Sequence, residues 1–449
     1  MIAGLLVSLV LVWRLAPDLP LRDAFRVVAM GTLAMGCGGS MTYGQTVGLT
    51  HDPALVGNRE AWTWGMVGLA LKGGVWIGVA GMFLGSGLGG RRWTPGAMAV
   101  FLGVLVGVFF LGVELFNRPF DPAARILPAM YFSADWRWQP GAELKPRPEV
   151  WGGMLLVWGV GCLWLGWARR DRLALALGLW GFLGGALGFP IGQSLQSWHA
   201  WNMEIFQAGW GLKVDPLINW WNWMETVFGG VMGAVLGWGA TVHRGWILKS
   251  ADRVLETAVV DLRREWEIIL LSAHMVLLWW VEFSSVAWVD ALYDMGIAMM
   301  VAPMVAVAGG RWAPFLVPLP VVLMPIAGKT AGHLVAQQGV PEIRAWVLAF
   351  GIPMVVAGAV VAGLVTRARR GFPAGPLLGG TLVVVVWGYF LLNLAIFRWP
   401  WPWESWTQRT PNALVFLACA LSLTWAVLAE VRSGVRTMRP PPTGVSSDS

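Results

Sequence analysis

The sequence predicts an all-α polytopic membrane protein of about 13 transmembrane helices, one N-terminal span followed by three parallel four-helix repeats. Three observations predict it. The 449 residues are 57% hydrophobic and only 13% charged, about half the charge of an ordinary globular chain. Several windows of about 20 residues carry one charge or none, enough to cross roughly 30 Å of hydrocarbon. Finally, the chain aligns with itself, and its Lys and Arg residues gather in the short connections between apolar runs.

The self-alignment defines the elements. At an offset of 148 residues, Arg22-Asp23 falls on Arg170-Asp171, Gly44-Gln45-Thr46 on Gly192-Gln193-Ser194, and His51 on His199. At an offset of 284, Gly44 and Thr46 fall on Gly328 and Thr330, Ala61-Trp62 falls on Ala345-Trp346, and Lys329 replaces the glutamine. Residues 1–16 form the N-terminal span, because no basic region or small-residue cleavage site marks a removable signal. Repeat 1 is 22–168, with spans at 24–48, 62–86, 98–117 and 150–168 and an outer loop at 117–149 that is too short for a domain. Repeat 2 is 170–309, with spans at 172–196, 222–242, 266–285 and 289–309 and an amphipathic cytoplasmic helix at 250–265. Repeat 3 is 311–432, with spans at 313–334, 346–366, 377–397 and 412–431, and 433–449 is a disordered tail.

An even number of spans per repeat gives every copy the same orientation. The basic connections then place the N-terminus outside and the C-terminus in the cytoplasm, as expected for a bacterial inner-membrane protein. The same distribution explains the net charge of +7 without nucleic acid as a partner; the partners expected are the bilayer and a small-molecule ligand. Cys37, Cys162 and Cys419 lie in predicted spans without paired spacing, which argues against a disulfide framework or a thiolate metal site.

Polar groups within spans are costly and therefore mark candidate sites. Gln45, Thr46, Gln193, Ser194, Lys329 and Thr330 form three equivalent motifs at the outer ends of equivalent helices. They are read as substrate contacts or, alternatively, as polar joints between helices. Lys72 lies mid-span and needs a partner, with Glu114 and Glu225 the expected carboxylates. With Glu282, these are the candidate coupling charges, and a structural ion pair is the alternative. Glu282, Asp290 and Asp294 cluster at one outer hairpin and would supply an acid or base if the protein were an enzyme.

His51 and His199 sit at equivalent outer positions near Trp201 and Trp221, in a loop whose aromatic density suits stacking on a sugar-like ligand. The same loop carries Trp198, Trp210, Trp220 and Trp223, and a second one carries Trp399, Trp401, Trp403 and Trp406; interfacial anchoring accounts for most of them. No metal site and no cofactor are expected, with haem between the two histidines or a coupling proton or cation as the exceptions. The leading expectation is a permease for a small polar solute, sugar-like or anionic, with a polar outer vestibule. The alternatives are a membrane enzyme acting on a lipid-linked or glycan substrate, and a structural or assembly subunit.

Overall fold

The computed structural model describes residues 1–247, 261–396 and 406–437. Most of the expected cytoplasmic helix 250–265, Trp399, Trp401 and Trp403, and the end of the tail lie outside the described residues. The regular elements described are helices: α1 (Ile2–Leu15), α2 (Leu21–Gly38), α3 (Gly44–His51), α4 (Arg59–Leu88), α5 (Pro95–Phe116), α6 (Trp151–Ala168), α7 (Arg172–Trp201), α8 (Trp220–Val242), α9 (Arg264–Phe283), α10 (Ala287–Asp294), α11 (Gly296–Gly309), α12 (Ala313–Gln338), α13 (Glu342–Arg369), α14 (Ala374–Ile396) and α15 (Thr410–Thr437). Among the described residues, 8 helices are long and apolar enough to cross a bilayer, or 9 if the bent pair α10 and α11 forms one span. The chain is an integral membrane protein on that ground. At 14 residues, α1 is apolar but shorter than a full span.

Helix starts follow the local sequence. Asn58, Thr94, Asp171 and Asn219 each accept a hydrogen bond from the backbone N–H three residues on, capping α4, α5, α7 and α8. The expected span 24–48 is interrupted: α2 ends at Gly38, and the chain turns through Gly39-Ser40-Met41 before α3 begins. The equivalent region of α7 runs on unbroken through Pro190. In α12, Pro318 and Pro320 lack the N–H that a regular helix needs, and residues 317–321 widen into a π-turn.

The packing centre is α7 with α4 and α8. Gly181 and Gly185 face α4, where a methyl group at Gly73 would lie 2.5 Å from the Gly185 carbonyl oxygen and one at Gly85 would lie 2.6 Å from that of Leu173. Gly184, Gly188 and Gly192 face α8, and a methyl at Gly188 would meet the Phe228 carbonyl oxygen at 3.0 Å. Leu179, Leu183, Leu187, Ile191 and Leu195, four residues apart, form the exposed third face. Small residues let two backbones approach on two faces, and the aliphatic stripe is left to the lipid. Over its most apolar window α4 is 78% buried, whereas α15 is 11% buried, so α4 is internal and α15 peripheral.

Candidate functional site

The loop 117–149 folds onto one face of α4, whose residues Trp64, Gly68 and Lys72 recur at four-residue spacing. Trp64 Nε1 donates to the Tyr131 carbonyl at 2.7 Å. Gly68 admits Phe132, whose Cβ would lie 2.6 Å from any methyl added there. Lys72 Nζ donates to Glu149 Oε1 at 2.6 Å, Thr46 Oγ1 at 2.6 Å and the Thr42 carbonyl at 3.0 Å. Glu149 also accepts from Ser133 Oγ at 2.8 Å and, through Oε2, from the Phe132 N–H at 3.0 Å. The Lys72 and Glu149 side chains are 2% and 1% exposed, so each charge relies on the other and on these hydrogen bonds.

Lys72 therefore pairs with Glu149 from the loop, and neither Glu114 nor Glu225 takes the role the sequence proposed. Glu114 is exposed on α5, while Glu225 accepts from Tyr43 Oη and Trp221 Nε1, each at 3.0 Å. The loop, though short, is ordered by its own contacts. Gln45 clamps its end, donating to the Lys145 carbonyl at 2.9 Å and accepting from the Arg147 N–H at 3.2 Å. Asp135 accepts from the Arg137 N–H at 2.8 Å, and burial holds its carboxyl above the usual range despite the pull of the Arg137 guanidinium.

Two cavities flank the Tyr43–Trp221 pair. The outer one, about 390 Å³, is lined by His51, His199, Asp215, Asn219, Trp220 and Trp221 among others. Here His199 Nε2 lies 2.6 Å from Asp215 Oδ1, Trp220 Nε1 donates to the same oxygen at 2.8 Å, and the His199 ring stacks on Trp220 with centroids 4.5 Å apart. His51 Nδ1 meets the Val47 carbonyl at 2.9 Å, which leaves Nε2 as the acceptor nitrogen of the neutral ring. The inner cavity, about 380 Å³, is lined by Ser40, Tyr43, Trp76, His274, Tyr293 and Lys329 together with Met and Leu side chains. Tyr43 lines the inner cavity and Trp221 the outer. Their rings stack with centroids 6.3 Å apart, and Glu225 ties the two together.

The residues singled out from the sequence thus fall in several places. His51, His199 and Trp221 share the outer cavity. Ser194 and Trp201 line a separate groove of about 370 Å³ with Trp62 and Trp198, and Trp201 Nε1 donates to the Thr50 carbonyl at 2.9 Å. Gln193 is buried and donates to Thr50 Oγ1 at 2.7 Å, while Thr330 is buried against the Ile326 carbonyl at 2.8 Å. Lys329 reaches the inner cavity. Asp290 is half-buried; the side chains of Glu282 and Asp294 lie outside the described residues. No group of three or more His, Cys, Asp or Glu able to hold a metal ion occurs among the described residues.

Sequence reasoning missed Glu149, Ser133, Tyr43 and Asp215. Tyr43 directly precedes the Gly-Gln-Thr motif and is one of only 4 tyrosines, which could have marked it. Glu149 sits immediately before the span that opens at Trp151, a carboxylate within reach of a lysine in need of a partner. No protein-family model matches the chain, and no curated protein or solved structure matches it either.

Proposed function

We propose that the protein is a permease that admits a small polar solute from an outer vestibule, past the Tyr43–Trp221–Glu225 partition, into a cavity within the helix bundle. The observation that carries this reading is the pair of cavities, about 390 and 380 Å³, one lined by Trp221 and the other by Tyr43, whose rings stack on each other. Both volumes fall in the range of roughly 300–1,000 Å³ common to small-molecule sites. In this reading His51, His199 and Trp221 meet the solute first, Trp201 lines the neighbouring groove, and Lys329 receives the solute beyond the partition. Gln45, Thr46, Gln193, Ser194 and Thr330 hold the surrounding backbone in place or complete the contacts. Lys72, Glu114, Glu225 and Glu282 are the candidate coupling charges, Glu225 through the hydrogen bonds it accepts from Tyr43 and Trp221.

The proposal includes the parallel three-repeat plan of about 13 spans, with the N-terminus outside and the C-terminus cytoplasmic. Its support is the self-alignment together with the distribution of Lys and Arg in the connections.

Access to the inner cavity tests the reading without knowledge of the solute. In a background lacking the native cysteines, Ser40→Cys places a thiol on the cavity wall. A charged methanethiosulfonate applied from outside should label it slowly, and about tenfold faster once Trp221→Ala opens the partition. Equal rates with and without Trp221 would show that the rings do not separate two compartments and would sink the proposal.

A further inference from the structure

His274 is 3% exposed, lines the inner cavity, and has no hydrogen-bond partner at either ring nitrogen. A neutral imidazole carries one N–H donor and one acceptor nitrogen, and a buried ring with neither satisfied is costly. Such a group in a native structure calls for a partner, and here it faces open volume. Lys329 brings a cationic donor to the same cavity. The remaining wall is of a different character, with Leu33, Met299, Met300 and Ile326 presenting a flexible apolar surface that adapts to a ligand of irregular shape.

We infer that the inner cavity binds an amphipathic organic acid, its carboxyl group toward His274 and Lys329 and its apolar body against the Met and Leu wall. A protonated carboxyl donates to the acceptor nitrogen of His274, and a carboxylate takes the His274 N–H together with the lysine. A volume of about 380 Å³ suits a ligand of modest size, near the lower end of roughly 300–1,000 Å³ for ligand pockets. The inference deepens the transport reading by naming the class of its cargo and rests on it only to that extent, since binding is measured without flux.

The test uses the full-length protein in nanodiscs with a diazirine-bearing decanoic acid as the photoreactive probe, and mass spectrometry to locate the label. Labelling is expected on peptides of α9 and α11, competed by excess decanoate and not by decyltrimethylammonium. Benzoate as a second competitor separates the sources: competition by both acids points to an aqueous acid, and by decanoate alone to one delivered through the bilayer. His274→Phe should lower labelling about tenfold through loss of its hydrogen bonds, whereas His274→Asn, which keeps a donor and an acceptor, should stay within threefold of the parent. A melting temperature measured on each variant separates loss of the site from loss of the fold. Labelling indifferent to His274→Phe in a folded variant, or competed equally by the cationic detergent, overturns the inference. Labelling as expected, with Ser40→Cys access unaffected by Trp221→Ala, would retain the site and discard the permease.

Discussion

Replacing Glu149 by Ala removes the carboxylate that faces Lys72 at 2.6 Å and leaves the ammonium with two neutral acceptors, Thr46 Oγ1 and the Thr42 carbonyl. Because the lysine side chain is 2% exposed, water cannot replace the lost charge without opening the structure. Deleting one partner of such a buried pair costs about 3–5 kcal/mol. The cost falls on docking of the loop 117–149, since Glu149 also holds Ser133 and the Phe132 backbone. Chymotrypsin reads that docking directly: Tyr131 and Phe132 are 1% and 0% exposed, and cleavage there requires the loop to lift. Where opening is fast relative to cleavage, a loss of about 3 kcal/mol raises the open fraction, and hence the cleavage rate, about a hundredfold. The double variant Lys72→Met with Glu149→Leu replaces the pair by apolar groups and should recover to within about tenfold of the parent rate. Parental cleavage in Glu149→Ala, or a double variant cut faster than either single one, would refute the view that the pair holds the loop.

Two further outcomes follow from the packing and the caps. At the start of α7, burial raises the Asp171 carboxyl to about 6 even though its oxygen caps Ala174, with Arg91 and Arg169 drawing it back. Between its ordinary value and about 6 the unfolded chain has released the proton that the folded one retains. This group's contribution to stability therefore falls as pH rises through that interval. Asp171→Asn keeps the cap and removes the ionisation, so its stability advantage should grow from pH 4 to pH 6, level off above, and reach at most about 3 kcal/mol. A difference in melting temperature that does not change with pH would contradict this. Gly185→Leu must push α4 away from α7 and is expected to cost about 1–3 kcal/mol or prevent accumulation in the membrane, whereas Gly103→Leu, with nothing within 4 Å of an added Cβ, should be tolerated. Equal thermal stability of the two would remove the close helix approach from the account.

The glycine faces show how far one dimension reaches. Gly181, Gly184, Gly185, Gly188 and Gly192 can be read from the sequence as a helix suited to close packing on two sides, and the structure uses them so. The break between α2 and α3 is less legible, since Gly38-Gly39-Ser40 permits a turn while the equivalent stretch of α7, Pro190 included, stays helical under the packing of its neighbours. For the candidate site, the repeat drew attention to His51 and His199, and these do share a cavity, with Trp221 beside them. It gave no means of seeing that Gln45 and Gln193, equivalent in sequence, would bond to a loop and to Thr50 respectively.

What the sequence by itself determined is the solvent of this protein. A chain 57% hydrophobic, with long windows nearly free of charge, has to bury its backbone polar groups in helices within a bilayer, because hydrogen bonding and the hydrophobic effect act on each segment locally. Only the tertiary structure decided which polar groups meet. The partner of Lys72 lies 77 residues away at Glu149, brought there by a loop that docks on the face formed by Trp64, Gly68 and Lys72. The Tyr43–Trp221–Glu225 cluster likewise joins side chains from two parts of the chain 182 residues apart. Periodicity constrains a residue against its neighbours along one helix, whereas pairing between helices depends on their relative rotation and depth, which the whole of the packing sets at once.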